Sequence, residues 1–303
     1  MGVCTVEPKI SSLIDKALSR RSFLTGVSAV AAGTVLAGCG DNSSPTTTTP
    51  PTSTTLTDAD YLNFALNLEY LEAEFYLRAA TGSGLAAADT GNSTSKTTGG
   101  AAVSGLTSVQ SQYIYEIAQN ELDHVRFLRS ALGSSAVAAP TIELTASFNT
   151  LASAAGLGAS FNPFLNFSNF LIGAFIFEDV GVTAYHGAAK LLTSKTNLTA
   201  AAEIMAVEAY HAGSIRSQIV ASGSSLITTA NAVSGVRSSL GGGNETTLSA
   251  TSIVAASATT SIAFDRTTDQ VLHIVYGTGG GAGVKGGVFF PSGLNGNISA
   301  TLA

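Results

Sequence analysis

One pattern occurs twice in this chain and constrains its fold more than anything else in it. Glu121-Leu-Asp-His124-Val-Arg-Phe-Leu-Arg129-Ser130 and Glu208-Ala-Tyr-His211-Ala-Gly-Ser-Ile-Arg216-Ser217 both read E-x-x-H-x-x-x-x-R-S. Each copy sits in a segment whose apolar residues recur at helical spacing. Residues three apart stack on one face of a helix, so each copy presents a carboxylate beside an imidazole. That is how a helix offers two ligands to one metal ion.

The same periodicity predicts four long helices. The first covers about 58–80 and opens on Thr57-Asp58-Ala59-Asp60, an N-cap with acid in the first turn. The second covers about 107–132 and stops at Gly133. The third, strongly apolar in its first half, covers about 164–193, and the fourth about 198–221, ending near Gly223. The connections at 81–105 and 134–163 are long, the latter with Pro140 and a short helix near 147–156, while the last is a brief turn. Long helices with a crossover in the middle predict an all-α four-helix bundle over 57–223.

Past 223 the composition turns to Gly, Ser and Thr. A short helix near 225–239, an irregular or short-strand stretch at 246–263 and one more short helix at 268–276 form a C-terminal extension, 224–303. Its Val288-Phe289-Phe290-Pro291 is apolar enough to pack back on the bundle. The glycines of 277–287 precede no helix and make no phosphate loop.

Bundles that hold paired metals use one Glu from each of two helices and one E-x-x-H from each of the others. Glu69 and Glu178 answer that need on the first and third helices. Each follows an apolar residue, Leu68 or Phe177, and precedes a tyrosine by seven positions, Tyr76 or Tyr185. The order Glu, Tyr, E-x-x-H, R-S therefore repeats in 58–130 and 165–217, which predicts a pseudo-twofold axis. Four carboxylates inside an apolar bundle are costly unless cations neutralise them.

Neighbouring residues carry secondary expectations. Glu72 and Glu74 compete with Glu69, Glu72 at the edge of the same face and Glu74 pointing away. Asp123 and Asp179 should face solvent or accept from imidazole N–H groups. Arg129 and Arg216 should cap the bundle end or pair with carboxylates there. Tyr76 and Tyr185 either hydrogen-bond ligand carboxylates or are ordinary half-buried bundle tyrosines. His186 and His273 lack a spaced partner and read as structural.

Together these motifs resemble the ferritin-like superfamily, which includes bacterioferritin, rubrerythrin and manganese catalase. Within it the chain is most similar to the exported ferritin-like domain branch that includes desiccation-related proteins. The likeness covers roughly 57–223, and the stretches Phe264 to Gly277 (F-D-R-T…Q-V-L-x-I-V-Y-G) and Phe289 to Gly296 (F-F-P-x-G-L-N-G) suit that branch. The resemblance implies Glu69, Glu121, His124, Glu178, Glu208 and His211 as metal ligands. Glu121 and Glu208 would bridge, with Glu69 and His124 at one end and Glu178 and His211 at the other. Oxygen and imidazole donors without thiolate suit two Fe or two Mn ions. The expected work is redox chemistry on peroxide, O2 or Fe(II), catalase-like or ferroxidase-like, in oxidative or desiccation stress defence. The alternative is a non-enzymatic protective or structural protein of the cell envelope, and a third reading is an adhesin using the Gly-rich tail.

Ahead of the bundle, Ser19-Arg20-Arg21-Ser22-Phe23-Leu24-Thr25 resembles a twin-arginine export signature. Leu36-Ala37-Gly38-Cys39 resembles a lipobox. Residues 1–38 thus read as a signal peptide, Cys39 as the lipidation site, and 39–56 as a Thr/Pro-rich tether. The apolar run from Phe23 to Ala37 is too short and interrupted for a membrane span. The expected partners are the twin-arginine translocation machinery, the lipoprotein-processing enzymes and the membrane itself, through the lipid on Cys39. The expected location is exported, at the periplasm or cell surface. The twin-arginine route carries folded proteins, so a metal could be loaded before export. Cys4 leaves with the signal, and the absence of a C-x-x-C pair excludes thiolate zinc and thioredoxin-like sites. Only 11% of residues are charged and the net charge is -6, so there is no basic stripe for nucleic acid. A homo-oligomer is compatible with the sequence, but tether and tail would obstruct a closed storage cage.

Overall fold

The computed structural model describes residues 55–302; the export motif, Cys4, Cys39 and nearly all of the tether lie outside the described residues. The bundle helices are α1 (Asp58–Thr81), α2 (Ser108–Leu132), α4 (Phe167–Ala189) and α5 (Lys195–Ala221). The crossover carries α3 (Ala146–Ala154), and the C-terminal extension carries α6 (Ser224–Leu240) and α7 (Thr268–Tyr276).

Caps set these boundaries. Thr107 and Gln110 form a reciprocal capping box at α2, as Thr267 and Gln270 do at α7. The third bundle helix was expected from 164 but begins at Phe167, because the Asn166 side chain accepts from the amide of Asn169. The fourth begins at Lys195 rather than 198, capped by Ser194. Asp58 has a task the sequence did not suggest. Its carboxylate accepts from the amides of Thr193 and Ser194 at 2.9 and 3.0 Å and from the Asn197 side chain at 2.8 Å. The start of α1 is thereby tied to the α4–α5 turn.

The molecule is an all-α ferritin-like bundle: α1 packs chiefly on α2, α4 on α5, and α1 also on α4. Two parallel strands of two residues, β1 (Thr97–Thr98) and β2 (Ile142–Glu143), join the two long connections and were not anticipated. Residues 246–263 are irregular apart from a bridge between Ser249 and Ser252.

The extension is part of the same core. α6 packs on α3, α4 and α5, and α7 on α4 and α6. Phe289 meets Phe177 at 5.0 Å and Phe148 at 5.4 Å between ring centroids, joining the aromatic cluster around Phe75. Phe289 and Phe290 are fully buried, each stabilising the fold by roughly 1.5–3 kcal/mol. This wrapping explains why α1 is buried on every side from Leu62 to Leu77 and α4 from Phe170 to Gly181. α4 is the one helix among the described residues long and apolar enough to cross a membrane, but 78% of its apolar window is buried inside the protein.

Candidate metal centre

Glu69 and Glu178 project inward from the two fully buried helices, α1 and α4. Glu121 with His124, and Glu208 with His211, project from α2 and α5, which keep a solvent face. All six side chains converge. Nδ1 of His124 lies 3.2 Å from Glu69 Oε2, 3.3 Å from Glu121 Oε2 and 3.3 Å from Glu208 Oε1. Nδ1 of His211 lies 2.9 Å from Glu121 Oε1 and 3.5 Å from Glu178 Oε2. The donors form two groups, Glu69, Glu121, His124 and Glu208, and Glu121, Glu178, Glu208 and His211, each with its donor atoms within 4.8 Å of one another. Glu121 and Glu208 belong to both.

The tyrosines cross between the halves. Tyr76 of α1 donates to Glu178 on α4, and Tyr185 of α4 donates to Glu69 on α1. Each occupies one carboxylate oxygen and leaves the other facing the centre.

Several neighbours differ from expectation. Glu72 is not at the edge of a face. It is 4% exposed and sits among the carboxylates, because α1 has no outer face on which an edge could exist. Glu74 does point away, yet it too is buried, bonded to Arg78 at 2.7 Å and to the amide of Leu85 at 3.1 Å. Asp123 is solvent-exposed, whereas Asp179 is buried and accepts no imidazole N–H. It pairs instead with Arg216 at 2.8 Å and Arg237 at 2.9 Å. Arg129 donates to the Tyr70 hydroxyl at 2.6 Å rather than to a carboxylate. His186 and His273 bond the backbone carbonyls of Phe264 and Thr278, holding the extension.

Sequence reasoning passed over Asn120, whose Oδ1 lies 3.0 Å from His211 Nε2 across the bundle. It also missed Arg237 and Glu245, which bond to each other at 2.8 Å and extend the Asp179 network into the extension. Glu72 had a legible signal, standing one turn after Glu69; Asn120 and Arg237 had none.

Electrostatically the site is overloaded with acid. Burial pushes Glu69 up to about 7 against the pull of His124. Burial, then Glu208 and the other carboxylates, holds Glu72 well above its ordinary value. Glu208 is raised strongly by burial and by Glu121, and Glu178 is raised by burial against His211. Burial would raise Glu121 too, but hydrogen bonds from His124 and His211 hold it down at about 2. Both imidazoles are raised: burial opposes this, but Glu69 overcomes it for His124, and Glu178 and Glu121 carry His211 to about 11. Glu69 Oε2, Glu121 Oε1, Glu178 Oε2, both Glu208 oxygens and His211 Nδ1 are buried without a well-formed hydrogen bond. Buried polar atoms of this kind call for a partner, and an oxygen–imidazole donor set fits hard or borderline divalent cations. These buried Glu and His clusters could hold metal ions. A cavity of about 630 Å³ lies elsewhere, between α5 and residues 244–266, and is lined by none of the six.

A duplicated helix pair with such a centre defines the ferritin-like class. The chain belongs to the ferritin-like domain family, which matches residues 57–221. It is 34% identical over 161 residues to the desiccation-related protein PCC13-62 of Craterostigma plantagineum, a match spanning 50% of each chain. It is 29% identical over 271 residues to the ferritin-like catalase Nec2 of Nesocodon mauritianus, covering 80% of this chain and 85% of that one.

Proposed function

We propose that this protein binds two iron or two manganese ions through Glu69, Glu121, His124, Glu178, Glu208 and His211, and uses them for redox chemistry on peroxide, O2 or Fe(II) in stress defence. One observation carries the proposal: two four-donor groups share Glu121 and Glu208, and six of their inward atoms, on Glu69, Glu121, Glu178, Glu208 and His211, are buried without a well-formed hydrogen bond. When bound, paired Fe or Mn supplies a two-electron change that closed-shell zinc does not. Four carboxylates balance the charge of two divalent cations. Tyr76 and Tyr185 fix the carboxylates of Glu178 and Glu69 so that one oxygen of each faces inward. Glu72, the surplus acid beside them, has its carboxyl held well above the ordinary carboxylate range by burial and by Glu208. The aromatic and aliphatic wall of α1 and α4 keeps bulk water away.

The proposal extends to export by the twin-arginine route and anchoring through a lipid on Cys39, on the strength of Arg20, Arg21 and the Leu36–Cys39 motif. The similarity to a desiccation-related protein supports a second reading, a protective envelope protein without turnover. Elemental analysis combined with peroxide consumption separates the two. Two redox-active metals per chain with turnover, both lost in His124→Ala/His211→Ala, supports the first. Metal content unchanged in that double variant removes the imidazoles from the coordination sphere and ends it.

A further inference from the structure

The seams of the bundle are not equally closed. α1 and α4 pack together, and α7 and Phe289 roof their seam, leaving a void of about 20 Å³ beside Glu72 and Gly181. α2 and α5 are not among the closely packed helix pairs, and a cavity of about 360 Å³ lies between them. Tyr113, Glu116 and Asn120 line it from α2, and Tyr210, His211 and Ser214 from α5. His211 alone among the six proposed ligands lines it. Glu116, Tyr210 and Ser214 are exposed at its mouth, while Asn120 is half-buried and His211 is buried at its floor. There the Asn120 amide spans the seam, Oδ1 at 3.0 Å from His211 Nε2.

We infer that the α2–α5 seam is the entrance to the metal centre and that Asn120 is its gate, admitting a neutral oxidant no larger than hydrogen peroxide or O2. This deepens the proposed function and rests on it. Three features select the class of molecule. The exposed carboxylate of Glu116 at the mouth repels anions. Ile117 and Val207 make part of the wall apolar. The Asn120–His211 bond closes the floor to anything that cannot slip past one amide. Asn120 is also a positioning residue: by accepting from Nε2–H it fixes the ring orientation that turns Nδ1 toward Glu121 and Glu178, the side on which a metal would be bound. The repeat places Val207 in the same position before Glu208, so no amide serves His124 in this way.

The entrance is tested with dissolved O2 as a paramagnetic probe of the zinc-exchanged, diamagnetic full chain. The chain has 4 histidines, so their ring-proton signals are assignable. O2 should relax the His211 ring protons more than those of His124. Ser214→Phe, a substitution at an exposed position in the mouth, should bring the His211 value down to that of His124, and Asn120→Ala should raise it. Equal relaxation of the two rings, or a His211 value indifferent to both substitutions, overturns the entrance. In the iron- or manganese-loaded protein, Ser214→Phe should lower kcat/KM for peroxide by about tenfold with kcat and metal content kept; an unchanged kcat/KM also overturns it. Failure of the chain to take up iron or manganese sinks the proposed function instead, and the relaxation measurement, made on the equally diamagnetic metal-free chain, still decides the route.

Discussion

The two halves of the bundle, α1–α2 and α4–α5, solve the same problem with the same residues, and differ where the site needs asymmetry. In each half the Arg of the R-S trailer reaches back to the residue that follows the inward Glu. Arg129 finds Tyr70, and Arg216 finds Asp179. The tyrosines are exchanged, Tyr76 to Glu178 and Tyr185 to Glu69. Beyond this exchange of Tyr70 for Asp179, the equivalence breaks beside the centre itself. Glu72 of the first half corresponds to Gly181 of the second, and Asn120 corresponds to Val207. A Cβ on Gly181 would stand 2.7 Å from Glu208 Oε2 and 3.3 Å from Glu72 Oε1. The second half thus gives up a side chain to make room for the extra acid of the first. Duplication supplies a symmetric set of donors, and single substitutions then give each end its own surroundings.

The strongest way to break the comparison is to remove one imidazole at a time. His124→Ala and His211→Ala should each abolish retention of one metal and weaken the other through the shared carboxylates. Metal removal by chelation should lower Tm by roughly 5–10 °C, the effect of a ligand present at about 100 times its Kd on a domain of this size. Differential scanning calorimetry with and without chelator checks it, and an unchanged Tm would mean that the donors hold nothing.

The metal-free and metal-loaded forms should also part company with pH. In the metal-free form Glu69 at about 7 and His211 at about 11 both lie above their unfolded values. The folded state therefore binds the extra protons, and stability is lost as pH rises through 4.5 to 7 for Glu69 and 6.5 to 11 for His211. Glu121, held at about 2, acts oppositely, its contribution present above 4.5 and lost as pH falls below it. With metal bound the imidazoles are deprotonated, so affinity and stability should rise over the neutral range. Thermal melts from pH 5 to 9 that run parallel in the two forms would contradict this.

The arginines come next in size. Arg216→Met removes one of two guanidiniums from the buried Asp179 and should cost about 3 kcal/mol. Arg129→Met loses a bond to a neutral hydroxyl and should cost about 1 kcal/mol. Equal urea midpoint shifts would erase the distinction. Gly181→Ala should cost about 2 kcal/mol by overpacking against Glu208, and more in the loaded protein if metal pins that carboxylate. The smallest contrast expected is between Tyr76→Phe and Tyr185→Phe. Each removes one bond to a carboxylate, about 1.5 kcal/mol, and the two should agree. A large difference between them would show that the halves are less equivalent than their contacts.

The repeated E-x-x-H and its Glu and Tyr partners were legible because helical spacing converts directly into a shared face. So was the bundle, since apolar periodicity and caps are local properties. Glu72 shows where that reasoning stops. A wheel places it at an edge, but whether an edge exists depends on what covers the helix, and here the extension and the long connections bury α1 all round. Asp179 fails for the same reason, its arginine Arg237 arriving from 58 residues away on α6.

By itself, then, the sequence determined the helices, their duplication and which six Glu and His side chains converge, because each is encoded within a few consecutive turns. Only the tertiary structure decided which seam stays open, which acid is surplus and which amide holds His211. Those depend on how separate segments cover one another, and no spacing along the chain carries that information.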